Sequence, residues 1–383
     1  MIVSISSYSL GLVFIILVSL IWAASSILVQ YLYTNQSFDS PFLLTYIGVS
    51  LFTIFLPIEW IRKCNGSEIP GIEYQSISST ESADADDAEA PRSFSNDHPN
   101  QDVLLEQRWT TQDHMIAAAK ISPVWFISNY AYNASLQFTS ITSSTVLAST
   151  GSLFAFLFAL LWRDEHFCAW KLIGVILGML GSILTGLHDI KGGDNGAEDD
   201  QLVLWGDTLG LLSAVGYGAY AVMIRILCPK NESLMSMQIF LGFVGLINMV
   251  ALSPIAFWQS IHMATVSVLV MGSLIIKGLL DNVLSDYLWA RAVILTSATV
   301  ATVGLGLTIP LAFLSDVVLG RPNVLQPSSI FGAISVLAGF VMVNVGQQNM
   351  NGHEINNENV AESAEEAAVE RISTFADVEI TAR

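Results

Sequence analysis

The chain has 383 residues, 52% of them hydrophobic and only 13% charged, with a formal net charge of −18. A soluble globular domain carries about 25% charged residues, so this balance excludes an ordinary soluble fold and points to the bilayer. The lack of a basic patch excludes nucleic acid as a partner, and the lack of a Walker motif excludes direct use of ATP.

Taken in chain order, ten apolar stretches of roughly 18–25 residues have the length of membrane spans. They are Leu10–Tyr31, Pro41–Ile61, Met115–Leu136, Ser143–Trp162, Cys168–His188, Leu202–Leu227, Leu234–Trp258, Val266–Ala290, Thr296–Leu319 and Ser328–Val345. The first lacks a basic leader and holds Trp22 where a cleavage site needs small residues, so it is expected to stay as a helix. The acidity sits between spans. Residues 62–114 hold eleven acids and four bases, residues 189–201 five and one, and residues 347–383 eight and two. These three segments are expected to be an acidic disordered loop, an acidic lumenal loop and an acidic disordered tail. Cys64, Cys168 and Cys228 have no metal-binding spacing and are expected to be reduced.

Lysine and arginine set the orientation. With ten spans and both termini in the cytosol, eleven basic residues fall inside and only Lys191 and Arg321 outside. That bias follows the positive-inside rule.

The halves resemble each other. A shift of 153 residues sets Asn129 on Asn282, Asn133 on Asp286, Ser144 on Ser297, Ala148 on Ala301 and Gly151 on Gly304. The reading is an all-α membrane protein with ten transmembrane helices as two inverted five-helix repeats. Residues 1–61 and 115–188 form the first repeat and residues 202–346 the second. Inverted repeats place a substrate near the midplane, at a polar, interrupted span in matching positions of both halves. The third and eighth spans fit. The third holds Asn129, Tyr130 and Asn133. The eighth holds Lys277, Asp281, Asn282 and Asp286, although a charge at the centre of a span costs about 2.5–3.5 kcal/mol on the mildest scale. Lys277 and Asp281 are four apart and can pair. At 100° per residue, Asp286 falls nearly opposite Lys277. Ser144 and Ser297 open hydroxyl-rich fourth and ninth spans. The glycines Gly174, Gly178, Gly181, Gly332 and Gly339 suit close helix packing.

The segments Trp125–Phe154 and Leu284–Asp316 resemble the drug/metabolite transporter (EamA-like) superfamily. Within it they are similar to solute carrier family 35, subfamily F, and its fungal vacuolar and thiamine-repressible relatives. The resemblance implies ten helices, cytosolic termini, and a central cavity lined by the third, fourth, eighth and ninth helices. The function expected is secondary-active transport of a small polar metabolite across an endomembrane by alternating access, proton-coupled or by exchange. The vacuolar membrane is the expected location, with the Golgi as the alternative. No cofactor and no metal are expected. The competing class is a non-transporting membrane receptor or scaffold. An intramembrane enzyme would need a catalytic set at bilayer depth, and the six histidines lie in loops or at helix ends. Lys277 suits an anionic substrate group and the carboxylates suit a cationic one, so the substrate's charge stays open.

Overall fold

In lipid no water meets an exposed peptide group, so long apolar runs must satisfy their N–H and C=O groups internally, as helix. The computed structural model describes residues 7–35, 40–64, 109–138, 147–192, 200–229, 234–262, 268–311, 314 and 327–350, and no strand occurs among them. The acidic segments between residues 65–108, 193–199 and 351–383 lie outside the described residues, as does Ser144.

Helix α1 is Ser7–Asn35. Helix α2, Pro41–Cys64, starts where the Ser40 side chain accepts from the Leu43 amide at 3.3 Å, with proline in the first turn. It tightens into a 3-10 turn at Leu51–Ile54. Helix α3 is Thr111–Phe138. Its start is a reciprocal cap: Asp113 accepts from the Thr110 amide at 2.8 Å, and the Thr110 hydroxyl accepts from the Asp113 amide at 3.3 Å. Hydrogen bonds from Thr110, first from its side chain and then its backbone, hold the exposed Asp113 carboxyl below its ordinary range. Then follow α4 (Leu147–Leu161), α5 (Ala169–Gly192), α6 (Asp200–Leu227) and α7 (Met237–His262). Helix α8 covers 268–295 in three parts: Val268–Lys277 is α-helical, Gly278–Leu284 is π-helical and Ser285–Leu295 is α-helical. The sequence pointed to an interrupted, polar span there, but the count of 100° per residue assumed an α-helical register throughout. Helix α9 is Ala298–Leu311 and α10 is Pro327–Met350.

Five of these helices, α1, α2, α6, α7 and α10, contain stretches long and apolar enough to cross a membrane, and α4, α5 and α9 are shorter apolar helices. The polar helices are α3 and α8. Helix α3 packs along α6 and α7, and α1 lies along the last part of α8. The core is aromatic: Trp125, Trp289, Phe52, Phe156 and Phe240 are fully buried. The outer face is apolar as well. Trp60, Trp205, Phe257 and Phe331 leave 63–70% of their surface open, which suits hydrocarbon and not water. Helices α5 and α10 cross backbone to backbone. A Cβ on Gly174 would meet the Gly339 carbonyl at 2.7 Å, and one on Gly181 the Gly332 carbonyl at 2.6 Å.

Candidate functional site: a charged π turn facing an aromatic cluster

The break in α8 coincides with its charges. Lys277 Nζ lies 2.9 Å from Asp281 Oδ2, so the pair expected from the i,i+4 spacing forms. A π turn closes on the fifth residue, so each residue advances roughly 80° about the axis rather than 100°. Seven such residues bring Asp286 round by about 140° towards Lys277. The expected half-turn between them is therefore lost, and Lys277 and Asp286 are both buried. Neighbours fix the break. Trp22 of α1 donates its indole N–H to the Ser285 hydroxyl at 2.7 Å, and that hydroxyl donates to the Asp281 carbonyl. Gly278 sits against Leu51 and Gly48 of α2. The Asn282 side chain also packs on Gly48, where a Cβ would lie 2.7 Å from Asn282 Oδ1. Asn282 also hydrogen-bonds the Asp286 carboxylate.

Four rings from three helices stand beside this turn. Trp125 of α3 stacks on Tyr220 of α6 at 4.7 Å between centroids and meets Trp289 of α8 at 6.1 Å. Tyr217 lies 5.2 Å from Tyr220 and 5.4 Å from Trp289. Asn129 reaches the same place: its amide donates to the Trp125 carbonyl at 2.9 Å and its side chain hydrogen-bonds Tyr220. Several buried polar atoms here have no hydrogen-bond partner among the described residues, Trp125 Nε1 and Asn282 Oδ1 included. Buried polar atoms are normally satisfied, so these are open valences for a ligand or water.

A second polar group lies at the end of the bundle that holds the starts of α1, α5 and α9. Glu165, in the α4–α5 connection, accepts from Lys171 of α5 at 2.6 Å, with both side chains buried. Its other oxygen accepts from the Thr299 amide at the start of α9, at 3.3 Å. Neighbouring Asp164 faces Arg225 of α6 at 3.7 Å, and Arg225 donates to the Ile294 carbonyl near the end of α8. The Tyr8 hydroxyl of α1 donates to Asn344 of α10 at 2.7 Å. Six helices are tied there by side chains.

Comparison with known proteins identifies the family. An uncharacterized transporter of Schizosaccharomyces pombe is 31% identical over 360 residues, covering 91% of this chain and 98% of that protein. A thiamine-repressible mitochondrial transport protein of Saccharomyces cerevisiae is also 31% identical, covering 88% and 92%. Solute carrier family 35 member F5 of Pongo abelii is 27% identical and covers 88% and 77%. The chain belongs to the solute carrier 35F-like transporter family. It is accordingly a membrane transporter with a small-molecule substrate, and not an enzyme. One crystal structure superposes with a TM-score of 0.58 over 88% of this chain and 98% of that one, at 13% identity, which shows shared fold. No family model matches the chain.

Within this family member the structure brings Asn129, Asn282, Asp286, Lys277 and Asp281 to one region. Asn133 stands one turn away and donates to Thr45 of α2 at 2.9 Å. Tyr130 points outward, 38% exposed, and packs with Phe42 and Phe126. Ser297 is buried and caps α9, accepting from the Val300 amide at 3.2 Å. The sequence reading missed Tyr217, Tyr220 and Trp289. Its available signal was YGAY at 217–220, two rings one turn apart on α6, flanked by Gly216, which packs on Ser128 of α3. It also missed the Asp164 and Glu165 ties, which lie in a short polar connection.

Proposed function

We propose that this chain moves a small polar metabolite across an endomembrane by alternating access, with the substrate held at the π turn of α8. The carrying observation is the buried set Lys277, Asp281 and Asp286 at that turn, since ionisable groups at bilayer depth mark substrate or ion pathways. The region draws on both halves of the chain: Thr45, Gly48, Trp125 and Asn129 come from the first, and Tyr217, Tyr220 and the α8 residues from the second. This suits ten helices in two inverted repeats, with a central site between them. Asp281 and Asp286 are the candidate carriers of a coupling proton.

The bias of lysine and arginine puts both termini in the cytosol. The ties at Asp164 and Glu165 then close the cytosolic end, as a gate that must part when the site opens inward. One relative is a vacuolar membrane protein of Saccharomyces cerevisiae, 29% identical over 88% of this chain, and we place the present chain in the same kind of membrane. Counterflow into liposomes carrying the full chain, with a panel of vitamins, nucleotides and nucleotide sugars, tests the proposal. Saturable exchange of at least one solute, lost on Asp281→Asn or Asn129→Ala in protein that still folds, is the expected result. Flux unchanged by both substitutions would sink it.

A further inference from the structure

The start of α3 is fastened to the start of α7 by a histidine outside the candidate site. His114 is buried. Its Nδ1 lies 2.7 Å from the Thr110 carbonyl oxygen, and its Nε2 lies 3.0 Å from the Ser236 amide nitrogen. A carbonyl only accepts and an amide N–H only donates. The two partners therefore fix the tautomer: the proton sits on Nδ1, and the Nε2 lone pair receives the Ser236 N–H. Ser236 opens α7, since its carbonyl accepts from the Phe240 amide at 3.1 Å. Beside the ring, the Trp109 amide donates to the Leu234 carbonyl at 2.8 Å, and the Trp109 and His114 rings meet edge to face at 5.2 Å.

This arrangement holds only while the ring is neutral. A proton on Nε2 sets N–H against N–H and places a charge in a buried position, so it costs the bond and the burial together. Free imidazole charges at about pH 6.5, within the range that cells use. The Asp113 carboxyl acts on the ring from α3, and its charge draws the proton on. The residues facing it from the start of α7, 234–238, include no titratable side chain. At the same end α2 brings Glu59 with Arg62, and α6 brings Arg225 with Asp164, each in an ion pair. The bias of lysine and arginine puts this end in the cytosol. We propose that His114 is a pH switch on that face: the neutral ring clamps α3 to α7, and the charged ring lets them part. Helix α3 carries Trp125 and Asn129, so cytosolic acid loosens one wall of the candidate site. The clamp itself rests on the two bonds of the ring and not on where a substrate sits.

Nitrogen-15 NMR of labelled histidine tests it in the full chain. The set His98→Gln, His166→Gln, His188→Gln, His262→Gln and His353→Gln leaves His114 alone. Its signal at neutral pH should be that of the Nδ1–H tautomer. Hydrogen exchange gives a second reading. On moving from about pH 7.5 to about pH 5.5, exchange over residues 109–114 and 234–240, corrected for the intrinsic effect of pH, should rise about fivefold, in line with one hydrogen bond lost. His114→Gln puts an uncharged amide oxygen near the place of Nε2 and should stay protected at both pH values. His114→Phe should be as open at the higher pH as the wild type is at the lower. An Nε2–H tautomer at neutral pH, protection in the wild type that does not change with pH, or an equal acid response in His114→Phe overturns the switch. Both readings are taken without a solute, so their failure leaves the transport proposal standing, and a failed counterflow leaves the switch standing.

Discussion

Two of the buried ion pairs among the described residues are built in different ways. Lys277–Asp281 joins two residues of one helix, with side chains 10% and 18% exposed. Lys171–Glu165 joins a connection to the next helix, with side chains 0% and 3% exposed, and Glu165 also holds the start of α9. The first pair needs no other helix in order to form, so it can persist while the bundle rearranges around it. The second exists only while α4, α5 and α9 stay together. A local pair suits a site that must keep its shape through transport, and a pair between elements suits a closure that must break.

The most damaging way to test that contrast is Lys171→Met. It leaves Glu165 buried and unpaired, and breaking such a pair costs about 3–5 kcal/mol. A large fall in thermal stability in detergent is expected, and Lys171→Met with Glu165→Leu should recover most of it. Lys277→Gln should cost less stability, because its partner is more exposed, yet it should abolish flux. If both singles lowered stability equally, the distinction between local and joining pairs would fail. Next comes Gly48→Ala, whose methyl would press on Asn282. Overpacking of this kind costs about 1–3 kcal/mol, and flux should fall while Lys171 variants remain additive with it. Arg225→Lys keeps the charge and loses the fork between Asp164 and the Ile294 carbonyl. Stability should drop by about 1–2 kcal/mol, and a cysteine placed at Thr299 should label faster from the cytosolic side.

The smallest effect belongs to the α3 cap. The Asp113 carboxyl is held below its ordinary range in the folded chain. Its contribution is therefore present above the unfolded carboxylate range near 3.9 and is lost as pH falls through the folded value. Asp113→Asn should lower stability slightly at neutral pH and leave the acid limit unchanged, which flattens the acid side of the profile. A change at pH 7 equal to that at pH 3 would show that the charge is not involved.

Much of the fold was legible because uninterrupted apolar runs have few alternatives to helix in a bilayer. The Lys277–Asp281 pair was legible because its spacing is local. The π turn was not, since its register is held from outside by Trp22 on Ser285 and by Gly278 against Leu51. For that reason the angle between Lys277 and Asp286 came out wrong when counted at 100° per residue. Tyr217 and Tyr220 were hidden inside an apolar span, where a tyrosine reads as belt or packing until its neighbours are known. Asp164 and Glu165 were hidden for the opposite reason: charges in a short connection read as solvated, and only the approach of α6 and α9 makes them buried.

The glycine crossing of α5 and α10 has a mechanical meaning. Side chains let helices slide, because rotamers can reset as one surface passes another. Where Gly174 meets Gly339 and Gly181 meets Gly332 backbone approaches backbone, and Val336, Val343 and Thr185 wedge in beside it, so few rotamers there are free to reset. The two helices make one strut, and shear along their seam is blocked. Under the alternating access proposed above, the passage opens elsewhere, with the remaining helices swinging about this post.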